Sequence, residues 1–189
     1  MPPFSPSPLK DILLLDLECS GTDPLRHGIV QVAALRLDQV GFVEHGHFCS
    51  YVRLEEHHEY DPEAGAVTKI DEGSARSAFT PDLQTVLLEL QAFAPPDEVV
   101  LAAWNGAFDL GFLLENYRRL GLPWRWDFHF LELWSLAWLV FPDMTSPNLT
   151  RVSERLQLPA RRQHDALEDV RQEADILRKL AELARQRLA

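Results

Sequence analysis

Two carboxylates stand at the end of an apolar run near the beginning of the sequence. Asp16 and Glu18 follow Ile12-Leu13-Leu14-Leu15, and side chains two residues apart in a strand leave the same face. Neighbouring carboxylates repel each other unless a cation shares them, so this pair could bind a divalent metal ion. In the alternative interpretation, Glu18 begins a loop and points into water, and the Asp-x-Glu pattern is an accident.

A third acid lies where a predicted strand passes into a predicted helix. Asp109 ends the segment Trp104-Asn105-Gly106-Ala107-Phe108-Asp109 and falls in the first turn of that helix. An acid in this position can stabilise the helix dipole without any further role. Taken alone, Asp109 favours this structural interpretation.

A histidine and an aspartate open the last predicted helix. His164 and Asp169 are five residues apart, and on an ideal helix this step turns the direction by about 140° and advances it by about 7.5 Å. The two side chains can therefore serve one site only if His164 lies at or before the helix start. A solvated helix face is the alternative, because Asp165 and Glu168 are also present.

In combination, the three segments resemble the DEDDh branch of the DnaQ-like 3′ to 5′ exonuclease family, which includes DNA polymerase proofreading subunits. A strand-end Asp-x-Glu, an Asn-x-x-Phe-Asp and a His-x-Ala-x-x-Asp occur in that order, and the resemblance spans Asp11 to Leu180. It implies an α/β, ribonuclease-H-like fold, in which helices flank a mixed five-stranded sheet. It also implies five catalytic residues, which are Asp16, Glu18, Asp109, His164 and Asp169.

The resemblance further implies a two-metal mechanism with Mg²⁺ or Mn²⁺. Asp16, Glu18 and Asp169 would hold the first ion, and Asp16 would bridge to a second ion that Asp109 completes. His164 would act as the general base, since histidine is the residue type that titrates near neutral pH. The expected reaction releases nucleoside 5′-monophosphates from the 3′ end of a nucleic acid. We expect single-stranded DNA as substrate, with an oligoribonuclease-like activity on RNA as the alternative.

Residues around the two first motifs are expected to bind the substrate, and the sequence departs from the family there. Cys19-Ser20-Gly21 stands where the family usually has Thr-Thr-Gly or Ala-Thr-Gly, Trp104 stands where His is common, and Asp165 stands where Arg often follows the histidine. Ser20 can still supply a hydroxyl, and aromatic side chains could stack on a terminal base. The predicted substrate-binding residues are Ser20, Gly21, Thr22, Trp104, Asn105 and Phe108.

Two other functions share part of this pattern. The dipeptide His164-Asp165 is found in phosphohydrolases of the HD type, but the further metal-binding helices of that family are not evident upstream. A non-catalytic nucleic-acid or protein-binding module on the same fold is the second alternative, which the complete set of four acids and one histidine disfavours. The adjacent His57 and His58 lack the spacing of a helical metal site, and we expect both to be exposed.

The elements that must position these residues follow from the hydrophobic pattern. Runs over residues 12–18, 29–37 and 41–52, joined by short turns, predict an antiparallel meander. Residues 55–77 are polar and broken by proline and glycine, which predicts a loop with one helical turn.

Strands and helices alternate after this loop. A helix is predicted from Thr80, as its capping residue, to Phe93, followed by a strand over residues 98–104 and a helix over residues 107–120. The order strand, helix, strand, helix implies a crossover and some parallel pairing.

The last third of the sequence is predicted to be helical. Residues 128–141 are too uniformly apolar to assign by period, and their length favours a buried helix with Trp134 and Trp138 in the core. Further helices are predicted over residues 148–158 and from near His164 to the C-terminus.

Charge and composition limit the classes of function. The 189 residues carry a formal charge of −11, from 18 basic and 29 acidic residues. This surplus excludes a protein that coats nucleic acid along its length, because such a protein needs a basic surface. Arg161 and Arg162, just before His164, are the best candidates to line a substrate path.

Cysteine content and apolar runs bear on the compartment. Cys19 and Cys49 alone supply neither a disulfide framework nor a four-ligand zinc site. No apolar run is long enough to cross a bilayer, and the beginning of the sequence lacks the features of a signal peptide. We therefore expect a cytoplasmic protein with no membrane partner.

The sequence predicts a single exonuclease domain over residues 9–189, preceded by a flexible tail over residues 1–8. Association with a DNA polymerase is the alternative that the resemblance to proofreading subunits implies. Little sequence follows the last helix, which favours a free-standing enzyme or an isolated module.

Overall fold

The computed structural model describes residues 9–162 and 164–188, so the predicted tail over residues 1–8 lies outside the described residues. Within them, five strands form one mixed sheet in the order β3-β2-β1-β4-β5. β1 pairs antiparallel with β2, and β2 with β3, whereas β1 and β4, and then β4 and β5, run parallel. The strands are β1 (Asp11–Cys19), β2 (Ile29–Leu37), β3 (Glu44–Tyr51), β4 (Val99–Ala103) and β5 (Phe130–Glu132). The predicted meander and the predicted mixed five-stranded sheet are confirmed.

Helices cover both faces of this sheet. They are α1 (Pro62–Thr68), α2 (Glu72–Ala75), α3 (Leu83–Phe93), α4 (Gly106–Arg119), α5 (Leu133–Val140), α6 (Leu149–Arg155) and α7 (Ala166–Leu188). Of the helices described, none is long and apolar enough to cross a membrane.

Alternation along β1 divides the core into two layers. Leu13, Leu15 and Leu17 lie in the cluster that packs against α3 and α4, whereas Ile12 and Leu14 lie in the cluster that packs against α7. Successive side chains of a strand point to opposite faces, so Asp16 and Glu18 continue the α7 side. The acids therefore lie at the end of β1, directly opposite the last helix.

The predicted helix over residues 128–141 is wrong in its first part. Phe130–Glu132 forms β5 and pairs in parallel with β4, and only Leu133–Val140 is helical. A run this uniformly apolar has no clear period to separate strand from helix, and pairing with the edge of β4 makes its first part a strand. Trp134 and Trp138 are 38% and 50% exposed, so their predicted place in the core is also wrong.

Other tryptophans form the aromatic part of the core. Trp126 is buried, and it packs edge-on against Trp124 and Tyr117 between α4 and the loop that follows it. The indole rings therefore fill the core on the α3 and α4 side of the sheet.

Several boundaries differ from the prediction for local reasons. Residues 55–77 contain two short helices, because the side chains of Asp61 and Asp71 accept backbone N–H groups and cap them. The cap of α3 is Asp82, whose side chain accepts the N–H of Thr85, and not Thr80. β3 begins only at Glu44, because Asp38 accepts three backbone N–H groups from the turn before it.

Candidate active site and metal centre

β1 places Asp16 and Glu18 within the sheet itself. Asp16 pairs with Ala33 and Glu18 with Gln31 of β2, and an irregularity in the pairing follows directly after Glu18. The Glu18 side chain is buried, so the interpretation in which it begins a loop and points into water is wrong. The two carboxylates therefore share one face of β1 beneath α7.

α4 brings Asp109 to the same place. Asp109 is buried, and its Oδ1 accepts the backbone N–H of Leu17 at 3.2 Å. Leu17 lies between Asp16 and Glu18, so this hydrogen bond fixes the first turn of α4 against the strand end that carries both acids. A role confined to the dipole of α4 does not account for this burial.

The segment before α7 brings His164 to Asp169. α7 begins at Ala166, so His164 precedes the helix, as the predicted shared site required. Its backbone has a φ of 58°, in the left-handed region, and its N–H donates to Asp169 Oδ2 at 3.0 Å. One ligand atom each of Glu18, His164 and Asp169 lies within 4.8 Å of the other two.

The acids raise one another's pKa values. Burial raises the pKa of Glu18 to about 7, with a further contribution from Asp169, and burial raises that of Asp109 to about 7. Burial, followed by the charges of Asp109, Glu18 and Asp169, holds the pKa of Asp16 well above its ordinary value. The pKa of Asp169 is raised chiefly by burial as well. Such a cluster carries its full negative charge only when cations neutralise it.

Sequence reasoning missed one acid of this cluster. Glu173 lies one helical turn after Asp169 on α7, and its side chain is 1% exposed. Burial raises its pKa well above the ordinary value, and Asp16, Asp109 and Asp169 raise it further. A signal was present, because Glu173 interrupts the apolar stripe formed by Val170, Ala174 and Leu177.

A cavity of about 300 Å³ opens beside Glu18. Three of the predicted substrate-binding residues, Gly21, Thr22 and Phe108, line it. The phenyl ring of Phe108 is half-buried against Phe112, with ring centroids 4.9 Å apart, so one face of the cavity is a fixed aromatic surface. The remaining lining residues come from the end of β1 and from α1 with its cap, and they are Leu17, Glu18, Cys19, Asp61, Glu63, Ala64, Val67 and Thr68.

Ser20 and Gly21 shape the loop after β1. Ser20 is 1% exposed, and its hydroxyl donates to the carbonyl of Glu59 at 2.7 Å and accepts the N–H of Gly28 at 3.0 Å. This hydroxyl therefore holds the loop in place, and the nucleotide contact expected of Ser20 stays a prediction. A Cβ at Gly21 would lie 2.3 Å from the imidazole of His27, so the close approach requires glycine.

Trp104 and Asn105 occupy the turn between β4 and α4. The Trp104 carbonyl accepts the N–H of Trp134 at 3.2 Å, which ties this turn to the start of α5. Asn105 is exposed at the start of α4, and its side chain makes no capping hydrogen bond there. Neither residue lines the cavity beside Glu18.

The two arginines before His164 are engaged with acids of the chain. Arg161 donates to Asp175 at 2.7 Å and to Glu168 at 3.4 Å, and Arg162 donates to Asp165. Arg161 thus stabilises the segment before α7 against that helix. Its predicted availability to line a substrate path does not fit these ion pairs.

A larger cavity, of about 540 Å³, lies away from the carboxylates of the candidate active site. His57, His58 and Arg119 are among its lining residues. His58 is buried, contrary to the prediction for the pair, and its Nε2 lies 2.8 Å from Arg119 Nη1. Burial, with the neighbouring charges, lowers the pKa of His58 to about 4, so its imidazole is neutral at pH 7 and can accept from Arg119.

Comparison with known proteins agrees with this geometry. The sequence matches the RNase_T family, described as Exonuclease, over residues 13–177. It is 24% identical over 172 residues to the PolC-type DNA polymerase III of Clostridium perfringens, a match covering 89% of this chain and 11% of the polymerase. A streptococcal homologue from Streptococcus mutans is 25% identical over 168 residues. The chain thus spans about a tenth of the length of these curated relatives.

Solved structures share the fold. The nuclease domain of 3′hExo, a DEDDh family member bound to rAMP, superposes with a TM-score of 0.76 at 18% identity and covers 94% of both chains. E. coli exonuclease I in complex with a dT13 oligonucleotide gives a TM-score of 0.80 at 18% identity, over 95% of this chain and 42% of that one. The ribonuclease-H-like fold is therefore confirmed. The chain belongs to the RNase_T exonuclease family, and its predicted resemblance to the DnaQ-like 3′ to 5′ exonucleases is confirmed.

Proposed function

We propose that this protein removes nucleotides from the 3′ end of single-stranded DNA and releases nucleoside 5′-monophosphates with the help of two divalent cations. The observation that carries the proposal is the convergence of Glu18, His164 and Asp169, whose ligand atoms lie within 4.8 Å of one another. Asp16 and Asp109 join them at the end of β1. Membership of the exonuclease family supplies the class of reaction.

The donor set fits hard divalent cations. Carboxylate oxygens are the preferred protein ligands of Mg²⁺, and Mn²⁺ accepts the same ligands. Glu18 and Asp169 would hold one ion, Asp16 would reach both, and Asp109 would complete the second. Bound cations would neutralise the acids, lower the pKa of water and stabilise the charge on the phosphoryl and leaving oxygens.

The chain's own residues would then carry the proton and place the substrate. His164 lies at the edge of the site, where its imidazole can accept a proton from the attacking water. The water attacks phosphorus, the bond to the 3′ oxygen of the preceding nucleotide breaks, and that oxygen takes a proton from solvent. The cavity beside Glu18 would receive the terminal nucleotide, with Phe108 against its base.

The choice of DNA follows from the relatives. PolC-type DNA polymerases are among the proteins most similar in sequence, and E. coli exonuclease I was solved with a DNA oligonucleotide. These polymerase relatives also support association of this domain with a DNA polymerase. Activity on RNA is the second candidate, and the 3′hExo nuclease domain bound to rAMP favours it, because it matches this chain over nearly its whole length.

Removal of single acids tests the proposed reaction. We expect Asp16→Ala and Asp169→Ala to abolish the degradation of an oligonucleotide in the presence of Mg²⁺ or Mn²⁺, because each removes a cation ligand. Asp97→Ala, which changes an exposed acid between α3 and β4, serves as the matched control and should retain full activity. Full activity of either purified site variant would overturn the assignment.

A panel of substrates tests the choice of nucleic acid. Release of labelled 5′-monophosphate would be compared for single-stranded DNA, duplex DNA with a mismatched 3′ end, and short RNA of the same sequence. We expect the highest kcat/KM on single-stranded DNA. A higher value on RNA would replace the proposed substrate with the second candidate.

A further inference from the structure

Glu173 is a buried acid that neither the family motifs nor the proposed mechanism uses. Its side chain is 1% exposed, and within the described residues its Oε2 has no hydrogen-bond partner. The groups that act on it electrostatically are Asp16, Asp109 and Asp169, three of the four proposed cation ligands. Glu173 therefore adds a fifth carboxyl group to the inner end of the site.

Strand register and helix position place Glu173 beside the turn that follows β4. β1 and β4 run parallel with Leu14 opposite Ala102, and Asp16 and Trp104 each lie two residues further along the chain. α7 packs across this face of the sheet through Val170 and Ala174, on either side of Glu173. The backbone N–H of Trp104 forms a hydrogen bond with Glu173, which links α7 to the turn that leads into α4.

A buried carboxyl oxygen without a hydrogen-bond donor lowers the stability of the folded state. Such an oxygen loses its hydration, and an apolar side chain of similar size would avoid this loss while packing equally well. Val170, Ala174 and Leu177 are apolar and buried on this part of α7, whereas Gln172 and the proposed ligand Asp169 are polar and buried. Packing alone therefore does not account for a glutamate at position 173.

We propose that Glu173 is a positioning residue, which holds the Trp104 turn against α7 and thereby places α4, with its Asp109 carboxylate, for cation binding. This inference rests on the proposed cation site. Groups outside the ligand set that fix the position of metal ligands typically cost 10-fold to 100-fold in metal affinity or activity when they are removed. A glutamine can take the same part, because its amide group both donates and accepts hydrogen bonds.

Two substitutions at position 173 test the proposal. Glu173→Met keeps the length of the side chain without its oxygens, whereas Glu173→Gln keeps the hydrogen-bonding groups. Glu182→Gln changes an exposed acid of α7 that pairs with Lys179, and serves as the matched control. Binding of Mn²⁺ would be measured by calorimetry without nucleic acid, together with thermal unfolding in EDTA and with kcat and KM on an oligonucleotide.

The proposal predicts a distinct result for each variant. Glu173→Met should weaken Mn²⁺ binding by about 10-fold to 100-fold and lower kcat with little change in KM, without lowering the unfolding temperature in EDTA. Glu173→Gln and Glu182→Gln should remain close to the unchanged protein in Mn²⁺ binding and in kcat. Rescue by glutamine separates positioning from direct ligation, since an amide is a poor substitute for a carboxylate ligand.

Three results would overturn the proposal. Unchanged Mn²⁺ binding and kcat in Glu173→Met would remove any role for Glu173 at the site. Equal loss in Glu173→Gln would make its charge essential, and a lower unfolding temperature of Glu173→Met in EDTA would assign it to folding. Asp16→Ala, measured in parallel, keeps the two proposals separate. Retention of Mn²⁺ binding and activity by that variant would defeat the proposed function itself, whatever the result for Glu173.

Discussion

Each acid of the site owes its chemical state to its neighbours. One oxygen of Asp109 accepts a hydrogen bond from the N–H of Leu17, and one oxygen of Asp169 accepts a hydrogen bond from the N–H of His164. These backbone donors fix the orientation of both carboxylates. Those hydrogen bonds favour the charged form, but burial dominates and raises both pKa values. Cations and protons therefore compete for these carboxylates. Cation binding is favoured when its electrostatic attraction exceeds the free-energy cost of keeping the buried carboxylates charged.

His164 has the most testable single role. His164→Gln removes the proposed general base, and we expect kcat to fall by about 10²-fold to 10⁴-fold, the usual contribution of such a group. KM for the oligonucleotide should change little, because the imidazole acts on water. The assay is a pH series of kcat with saturating Mn²⁺, with His57→Gln, an exposed histidine, as the control. A His164→Gln variant with unchanged kcat would show that another group accepts the proton.

Sequence predicted the residues that repeat a motif and missed those whose role depends on a partner far along the chain. Asp16, Glu18 and Asp109 follow from the family resemblance that the three motifs carry in combination, and the structure brings them together. The structural role of Ser20 depends on Glu59 and Gly28, which no local pattern connects to it. Glu173 lay within reach of sequence reasoning, as an acid within an apolar helical stripe.

At the scale of elements, the strands were easier to predict than the segments at the sheet edge. β1 and β2 are apolar runs with clear ends, and their predicted bounds agree with the structure within a residue or two. β5 and α5 come from one continuous apolar run, and only the free edge of β4 divides it. α1 and α2 depend on capping by Asp61 and Asp71 inside a segment whose composition predicts a loop.

The tryptophans allow a direct test of the corrected core. Trp126→Ala should lower the free energy of unfolding by about 3–5 kcal/mol, because it empties a buried aromatic site. Trp138→Ala should change it by less than about 1 kcal/mol, because half of that side chain is exposed. Urea denaturation followed by circular dichroism measures both values. Equal losses in the two variants would contradict the position of α5.

Ser20 tests the loop that follows β1. Ser20→Ala leaves the N–H of Gly28 and the carbonyl of Glu59 without this hydroxyl, and we expect a loss of about 1–3 kcal/mol in the free energy of unfolding. Ser146→Ala, at an exposed position, is the control and should have no measurable effect. A Ser20→Ala variant with an unchanged free energy of unfolding and a raised KM would instead support the nucleotide contact first predicted for this hydroxyl.

At the scale of the whole molecule, the acid cluster links stability to pH. Glu18 and Asp109 have pKa values of about 7 in the folded chain without cations, far above the value of about 4 for free carboxyl groups. The folded state therefore binds more protons than the unfolded state near neutral pH, and stability falls as the pH rises through 7. His58, whose folded pKa is about 4, has the opposite effect only below pH 6.5, where the unfolded histidine takes up a proton.

In the pH interval from 6.5 to 8.5 the carboxyl groups act without the opposing contribution of His58. In EDTA, we expect the unfolding temperature to fall across this interval, and saturating Mg²⁺ or Mn²⁺ should raise it more at pH 8.5 than at pH 6.5. Asp16→Asn removes one of the mutually repelling acids and should reduce the fall. An unfolding temperature in EDTA that stays constant or rises over this interval would contradict the raised pKa values.

The order of the elements has a consequence for synthesis of the chain. The acids come from β1, α4 and α7, whose sequence positions 16, 109 and 169 are far apart. A ribosome that has translated only the first 150 residues has made Asp16 and Asp109 but neither His164 nor Asp169. The nascent polypeptide therefore lacks part of the proposed cation site while it remains close to the messenger and ribosomal RNA. The proposed activity can begin only after the last helix has emerged and docked against β1.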